Sequence, residues 1–198
     1  AEKQLESGLA VSANGENILQ SAVKQYQDLL VAQPAKNENM EVLYQLAKAH
    51  EQQGQLEQSY AILQQLLRAF PANPYLAEVY FRLGEIEFNR KQYGAAVAAY
   101  QRVLDQGSQS AYYATSAYML GWSYFKQNQN SQALVAFTSL LDNSLPNDII
   151  AQPMMRQVDS QAQIEALGSG EKRLVNDTLR IMSLLFSYQE SQYENRAD

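Results

Sequence analysis

Few residues in this 198-residue chain are of types that do chemistry, and their spacing does not bring them together. His50 is the only histidine and there is no cysteine, so a thiolate site and a multi-histidine metal site are both excluded. Glu85 and Glu87 lie two positions apart on a predicted helix, about 200° apart around its axis, and cannot share a substrate as an acid–base pair. No glycine-rich phosphate loop is present. We therefore predict that the protein is not an enzyme and uses no metal and no cofactor; a hydrolase or lyase is the weakest hypothesis.

These residues have structural interpretations instead. We expect His50 to be a packing residue. Glu85 is expected to be solvated or to line a groove, and Glu87 to reach solvent or to pair with a base. The triplet Asn176-Asp177-Thr178 has the form of a glycosylation acceptor. It falls inside a helical pattern, so we assign it no function.

Composition favours a folded chain and argues against two classes of partner. Hydrophobic residues make up 46% of the chain, yet no apolar run approaches the roughly 18–20 residues of a membrane span. The net charge is −6, from 21 acidic and 15 basic residues that are spread over both halves. A protein that binds nucleic acid needs clustered lysine and arginine to neutralise phosphates. We predict no membrane span and no nucleic-acid partner.

The elements that position these residues follow a repeat of 37 residues. A leucine recurs at this interval and is followed each time by a small residue. Twelve positions later comes a second small residue, and a large apolar residue stands four positions beyond that. The leucines are Leu9, Leu46, Leu83 and Leu120; the small residues are Ala10, Ala47, Gly84 and Gly121, then Ala22, Ser59, Ala96 and Ala133; the large residues are Tyr26, Leu63, Tyr100 and Phe137.

This pattern predicts a helix–turn–helix unit. The small residue of the first helix lets the second helix approach closely, and the large residue fills the space between units. Proline follows the second helix at Pro34 and Pro71 and ends it, because proline cannot continue the hydrogen-bond ladder. One unit cannot bury its own apolar face, whereas stacked units can. Gly84 and Gly121 are therefore predicted to be packing positions.

The pattern resembles the tetratricopeptide repeat family, whose signature is Leu-Gly followed by an alanine, an aromatic residue and a proline. The resemblance implies an all-α fold, a right-handed alpha-alpha superhelix of about four helix pairs and a C-terminal helix. The family's period is about 34 residues, so each linker here carries about three extra residues. The repeats are predicted at 3–36, 40–73, 77–110 and 114–147, and their helix pairs at about 3–33, 39–70, 75–106 and 111–142. The best matches are Leu83-Gly84 with Ala96 and Tyr100, and Leu120-Gly121 with Ala133 and Phe137.

The pattern stops after the fourth repeat. Residues 148–170 are predicted to be a loop or insertion with a short helix at 160–166. The wider segment 143–170 contains helix breakers and few periodic apolar residues and is predicted to be mobile. Residues 171–190 are predicted to form the helix of a partial fifth repeat or a cap, followed by a polar tail at 191–198. A partial repeat is also what a piece of a longer protein would show.

Turn residues agree with these boundaries. Asn73-Pro74 is predicted to open a helix as N-cap and first-turn proline. Gly54, Lys91 and Asn128 fall at the same turn of three repeats. Glycine and asparagine suit a left-handed backbone there, and lysine does not.

The segment 170–184, with the repeats before it, resembles large tetratricopeptide proteins of Gram-negative bacterial envelopes. This resemblance implies a periplasmic or outer-membrane-associated location and a role in bacterial cell-envelope assembly. A cytoplasmic location is the alternative.

In this family the first helices line a concave face, and the resemblance implies a partner-binding groove there. Large apolar groups that packing does not need mark an interaction surface. The alternative is that the insertion, the last helix or further sequence covers these side chains. The predicted groove residues are Tyr44, Lys48, Phe81, Glu85, Phe88, Asn89, Tyr118, Trp122, Phe125 and Lys126.

The predicted function is a protein–protein interaction scaffold that binds a peptide or protein segment in a concave aromatic groove. The alternative is a structural spacer or self-association module of a larger multidomain protein.

Overall fold

The computed structural model describes residues 20–32, 39–145, 162 and 164–197. Within these ranges the chain is helical with no β-strand, and none of the helices is both long and apolar enough to cross a membrane. A single helical turn at residues 164–166 precedes the last helix. The helices are α1 (20–32), α2 (Asn39–Gln52), α3 (Leu56–Ala69), α4 (Leu76–Asn89), α5 (Tyr93–Leu104), α6 (Tyr113–Phe125), α7 (Asn130–Ser144) and α8 (Ser169–Ala197).

The helices fall into two compact units, one ending at Val79 and the other beginning at Tyr80, so that the division lies inside α4. In the first unit α2 and α3 form a hairpin whose buried residues include Leu46 and Leu63. In the second unit α5 packs on α6, α6 packs on α7, and α8 lies against both α6 and α7. Each of these helices therefore buries one face against a sequence neighbour.

Paired helices approach closely where a residue without a side chain lies beneath an aromatic ring. A Cβ atom added to Gly84 would lie 2.6 Å from Cε1 of Tyr100, and one added to Gly121 would lie 2.6 Å from Cδ1 of Phe137. Both rings are fully buried. These contacts confirm that Gly84 and Gly121 are packing positions.

Each hairpin turns through one residue with a left-handed backbone. Their φ angles are 71° at Gly54, 61° at Lys91 and 59° at Asn128. Around Lys91, the amide of Gln92 donates to the carbonyl of Glu87 and the amide of Lys91 to that of Phe88, both at 2.9 Å. This is the Schellman arrangement that ends a helix. Although lysine does not suit this conformation, Lys91 adopts it, because the two hydrogen bonds and the pairing of α4 with α5 fix the turn.

A polar side chain closes the linker between α3 and α4. Asn73 is buried; its Nδ2 donates to the carbonyl of Phe70 at 2.8 Å, and its Oδ1 accepts the amide of Tyr75 at 3.0 Å. Asn73 therefore makes a side-chain hydrogen bond of the capping kind, but α4 begins only at Leu76, so Asn73 is not its N-cap and Pro74 lies in the turn before the helix rather than in its first turn.

The C-terminal helix is longer than the sequence pattern predicts. It spans Ser169–Ala197 rather than 171–190, so the segment predicted as a polar tail is helical as far as Ala197. No proline or glycine follows Gly170, and nothing in the local sequence ends the helix earlier. Residues 3–19 of the first predicted repeat and residues 146–161 of the predicted mobile segment lie outside the described residues.

Replacing Gly121 with leucine is expected to lower the free energy of unfolding by about 1–3 kcal/mol, because the new side chain would occupy the space of the Phe137 ring. Gly94 offers a matched control, since it is an exposed helical glycine whose added Cβ would meet only the flexible end of Gln127, at 3.9 Å. Chemical denaturation of Gly121→Leu and Gly94→Leu beside the wild type measures the difference. Equal stability of the two variants would contradict this packing.

Replacing Lys91 with glycine is expected to raise the free energy of unfolding by about 0.5–1 kcal/mol, since glycine removes the steric cost of the left-handed backbone. The Lys91 side chain is exposed, so little packing is lost. Gly54→Ala should shift stability in the opposite direction at the equivalent turn. Thermal and urea denaturation of both variants checks the signs, and a loss of stability in Lys91→Gly is the result that would overturn the prediction.

Candidate functional site

The predicted groove residues of the first unit take part in packing. Tyr44 is only 5% exposed and stacks on Tyr75, with ring centroids 4.0 Å apart and an angle of 5° between the planes. Lys48 is half-buried, and its Nζ lies 5.1 Å from the centre of the Tyr44 ring. Tyr44 therefore has a packing role at a position where the family resemblance predicts a groove residue.

Tyr75 also connects the linker after α3 to α2 through a hydrogen bond. Its hydroxyl donates to Oε2 of Glu41, and Nε2 of Gln45 donates to the other carboxylate oxygen at 2.7 Å. These hydrogen bonds, first that from Gln45 and then that from Tyr75, lower the pKa of Glu41. The bond to Glu41 in turn raises the pKa of the Tyr75 phenol.

The second unit repeats this arrangement at Phe81. The ring of Tyr112 lies 5.2 Å from that of Phe81, and Ser110 Oγ accepts the Tyr112 amide at 3.2 Å. The Tyr100 ring lies 6.1 Å from Phe81 on another side, so Phe81 is half-buried. Tyr75 and Tyr112 are one repeat apart, in the linkers that are longer than the family's. Neither tyrosine is among the residues predicted from the sequence, although a tyrosine recurring at the repeat interval was the available signal.

Glu85 and Glu87 both have partners on their own helix pair. Tyr100 Oη donates to Glu85 Oε1 at 2.6 Å. Burial of the ring, together with this hydrogen bond, raises the pKa of the Tyr100 phenol. Glu87 is buried and its Oε1 lies 3.4 Å from Nη1 of Arg90. Glu87 was expected either to reach solvent or to pair with a base, and in the structure it pairs with a base.

Phe88 and Asn89 lie at the end of α4. Phe88 is half-buried and meets the Tyr93 ring edge-on, with centroids 5.3 Å apart. Asn89 is exposed.

Trp122 is the centre of an edge-to-face aromatic cluster. Its ring lies 6.3 Å from Tyr118, 5.5 Å from Phe125 and 6.5 Å from Phe137, at angles of 77°, 82° and 86°. Tyr118 and Phe125 are half-buried like Trp122, while Phe137 is fully buried between α6 and α7. The structure thus brings together three of the predicted groove residues, all on α6.

The last helix covers part of this cluster and leaves a cleft beside it. Leu185 is buried in the same core as Phe137, and Met182 packs against that core. Leu184 is 64% exposed at the edge of the cleft. The cleft has a volume of about 480 Å³ and is lined by Trp122, Phe125, Asn128, Asn130, Ile181, Leu184 and Leu185. The α8 residues of this wall did not figure among the predicted groove residues.

Lys126 is the charged residue beside the cluster. It follows α6 as its C-cap, is exposed, and places its Nζ 5.9 Å from the centre of the Trp122 ring. An ammonium at this distance over an indole face is attracted by the ring quadrupole.

The lining of this cleft carries no group suited to acid–base or nucleophilic chemistry. All seven lining residues are uncharged and none titrates near neutral pH. Over the described ranges, no three His, Asp or Glu side chains are grouped so as to hold a metal ion. The buried His50 donates from Nδ1 to Oε1 of Gln55 at 2.6 Å, as a packing residue would.

Comparison with known families matches two sequence profiles, both described as tetratricopeptide repeat. One matches residues 8–74 and 44–111, and the other matches 115–144. No curated protein sequence matches the chain.

Several solved structures share the fold at low sequence identity. A MamA protein has a TM-score of 0.56 and 20% identity, covering 96% of this chain and 93% of its own. MamA from Desulfovibrio magneticus RS-1 has a TM-score of 0.54 and 15% identity, covering 96% of each chain. A tetratricopeptide repeat protein from Parabacteroides merdae ATCC 43184 has a TM-score of 0.57 and 16% identity, covering 94% of this chain and 69% of its own. These likenesses confirm the predicted all-α fold class.

Replacing Tyr100 with phenylalanine is expected to lower the free energy of unfolding by about 0.5–1.5 kcal/mol, because the hydrogen bond to Glu85 is lost while the ring stays. Folding raises the pKa of Tyr100, so the wild type loses stability as the pH rises above about 10, where only the unfolded phenol ionises. The variant has no phenol at this position and escapes that loss. Denaturation of both proteins near pH 7 and near pH 11 should show that the difference in unfolding free energy between them is smaller at the higher pH. The same difference at both pH values would count against a buried phenol at Tyr100.

Proposed function

The chain belongs to the tetratricopeptide repeat family, and from that premise we propose that it is a non-enzymatic scaffold whose cleft beside Trp122 binds a segment of another protein. Tetratricopeptide repeats are protein-interaction modules, so protein partners follow from the family. The cleft is the finer part of the proposal. The proposal specifies where the predicted aromatic groove lies, with one wall on α6 and the other on α8.

The observation that carries the proposal is the half-buried Trp122 at the wall of an uncharged cleft. Its volume of about 480 Å³ lies within the range of ligand-binding pockets, roughly 300–1,000 Å³. Buried tryptophan and other aromatic anchors usually carry most of the energy of an interface. A large apolar side chain of the partner would pack between Trp122, Phe125 and Leu184.

Tyr44 and Phe81 contribute less to such a surface. Tyr75 stacks on one ring and Tyr112 lies against the other, so much of their apolar area is already used. The proposed binding surface therefore centres on the fourth repeat, with Tyr118, Trp122 and Phe125.

A structural spacer is the second candidate. The observation in its favour is that α8 of the chain itself packs over the Trp122 cluster through Leu185 and Met182. In that case the cleft is only the rim of an intramolecular contact, and Leu184 has no role in binding.

We also propose that the protein acts in bacterial cell-envelope assembly, in the periplasm or on the outer membrane. The support is the resemblance of segment 170–184 and of the repeats to envelope tetratricopeptide proteins. Fractionation of the source cells with an antibody against the chain checks the location, and recovery in the cytoplasmic fraction alone would refute it.

Selection of a random peptide-display library on the chain tests the binding function. Binders are expected to weaken by about 2 kcal/mol or more on Trp122→Ala, and to weaken on Leu184→Ser because an apolar contact at the cleft edge is lost. Trp122 also contacts Phe137, so its substitution costs some stability, whereas Leu184 is mostly exposed and its substitution should leave the fold unchanged. Titration calorimetry measures the affinities, with circular dichroism as the check on folding.

Val31→Ser is the control, since Val31 is an 82% exposed apolar residue of the other unit. Selected peptides should bind this variant as tightly as the wild type. If binders are insensitive to Leu184→Ser, or if Trp122→Ala unfolds the chain without a separable loss of binding, the cleft is not the binding site and the spacer becomes the better account.

A further inference from the structure

The fourth repeat is nearly free of charge. Lys126 is the only charged residue between Asp105 and Asp142. On α8, Arg180 is the only charged residue between Asp177 and Glu190. Residues 106–141 and 178–189, which include all seven lining residues, therefore carry two cations and no anion, in a chain whose net charge is −6.

Each of these cations lies near a lining residue of the cleft, Lys126 by contact with Trp122 and Arg180 by its spacing from Leu184 along α8. Lys126 lies over the outer face of Trp122 and makes no ion pair with any residue that the structure describes. Arg180 is exposed and stands one turn before Leu184 on α8. Asp177 shares this side of the helix, between Arg173 and Arg180, so the stripe leading to Leu184 is positive in sum.

The composition of the cleft is that of an interface core. Cores of protein interfaces are depleted in charged residues and enriched in aromatic ones, while the rim stays polar. Here aromatic and aliphatic side chains form the floor, and Asn128 and Asn130 stand among the lining residues. Their amides can both donate to and accept from a peptide backbone.

We propose that the cleft takes an acidic segment, in which one large apolar side chain enters beside Trp122 and flanking carboxylates face Lys126 and Arg180. This inference rests on the proposed function and adds the chemistry of the partner. Lys126 and Arg180 are both cations, and Asp177, the anion on the same side of α8, is offset by Arg173, so a basic segment is repelled overall. An acidic one is attracted to both, and charge complementarity of this kind sets specificity and speeds association.

Three display libraries test this chemistry. Each presents a central large apolar residue with random neighbours, and they differ only in whether glutamate, glutamine or lysine flanks that residue. Recovery on the wild-type chain should be roughly three- to tenfold higher for the glutamate library than for either other library. The preference should shrink in Lys126→Gln and reverse toward the lysine library in Lys126→Glu. It should also weaken as salt is raised.

The variant Leu184→Ser distinguishes a failure of the acidic-partner inference from a failure of the proposed function. If all three libraries are recovered equally on the wild type and all are lost on Leu184→Ser, the cleft binds apolar anchors without regard to charge; the proposed function stands and the acidic partner is refuted. If recovery does not depend on Leu184 in any library, the proposed function itself fails and this inference fails with it. A preference for glutamate that survives in Lys126→Glu and on Leu184→Ser would place the acidic binding elsewhere and also refute the inference.

Discussion

The contact on which each complete helix pair depends is a large buried side chain lying across a very small residue. Burial of each such side chain contributes on the order of 2–3 kcal/mol, and the contact exists only while the small residue has no bulk. In the three hairpins α2–α3, α4–α5 and α6–α7 the two residues therefore change together. Where the large residue is an aromatic ring, at Tyr100 and Phe137, the small one is glycine. In the α2–α3 hairpin the equivalent residues are Ala47 and Leu63, both fully buried.

This packing also decides which polar groups reach the surface of α4. Because the Tyr100 ring lies across Gly84, its hydroxyl emerges beside Glu85 and donates to it. A residue that the family resemblance offers as a groove contact is thus held by a core residue. The linkers also occupy predicted groove residues. Tyr75 and Tyr112 lie in the extra length of this repeat and cover aromatic rings of the preceding first helix.

Much of the fold could be predicted because it depends on residues that recur at one interval. The pairing of α4 with α5 and of α6 with α7 followed from Leu-Gly and the later aromatic residue. The end of α8 could not be placed, since a polar sequence without breakers is compatible with helix or tail. The packing of Tyr44 was missed because its partner, Tyr75, lies in a linker that the family signature does not describe. The α8 wall of the cleft was missed because it depends on how a helix outside the four repeats docks.

Leu184 is exposed on a different side of α8 from the other exposed apolar residues of that helix. By register with α6, the face that a second helix would cover includes Leu179 and Phe186, which match Ala117 and Tyr124. Both are exposed, and the repeat pattern is enough to explain their apolar character. Leu184 lies outside that face and on the side of Ile181, toward Trp122. The same register matches Leu184 to Trp122, so Leu184 occupies a predicted groove position and not one that faces a second helix. Under the proposed function, an apolar side chain of the partner would pack against Leu184 at the edge of the uncharged cleft, and that contact would account for a leucine at this position.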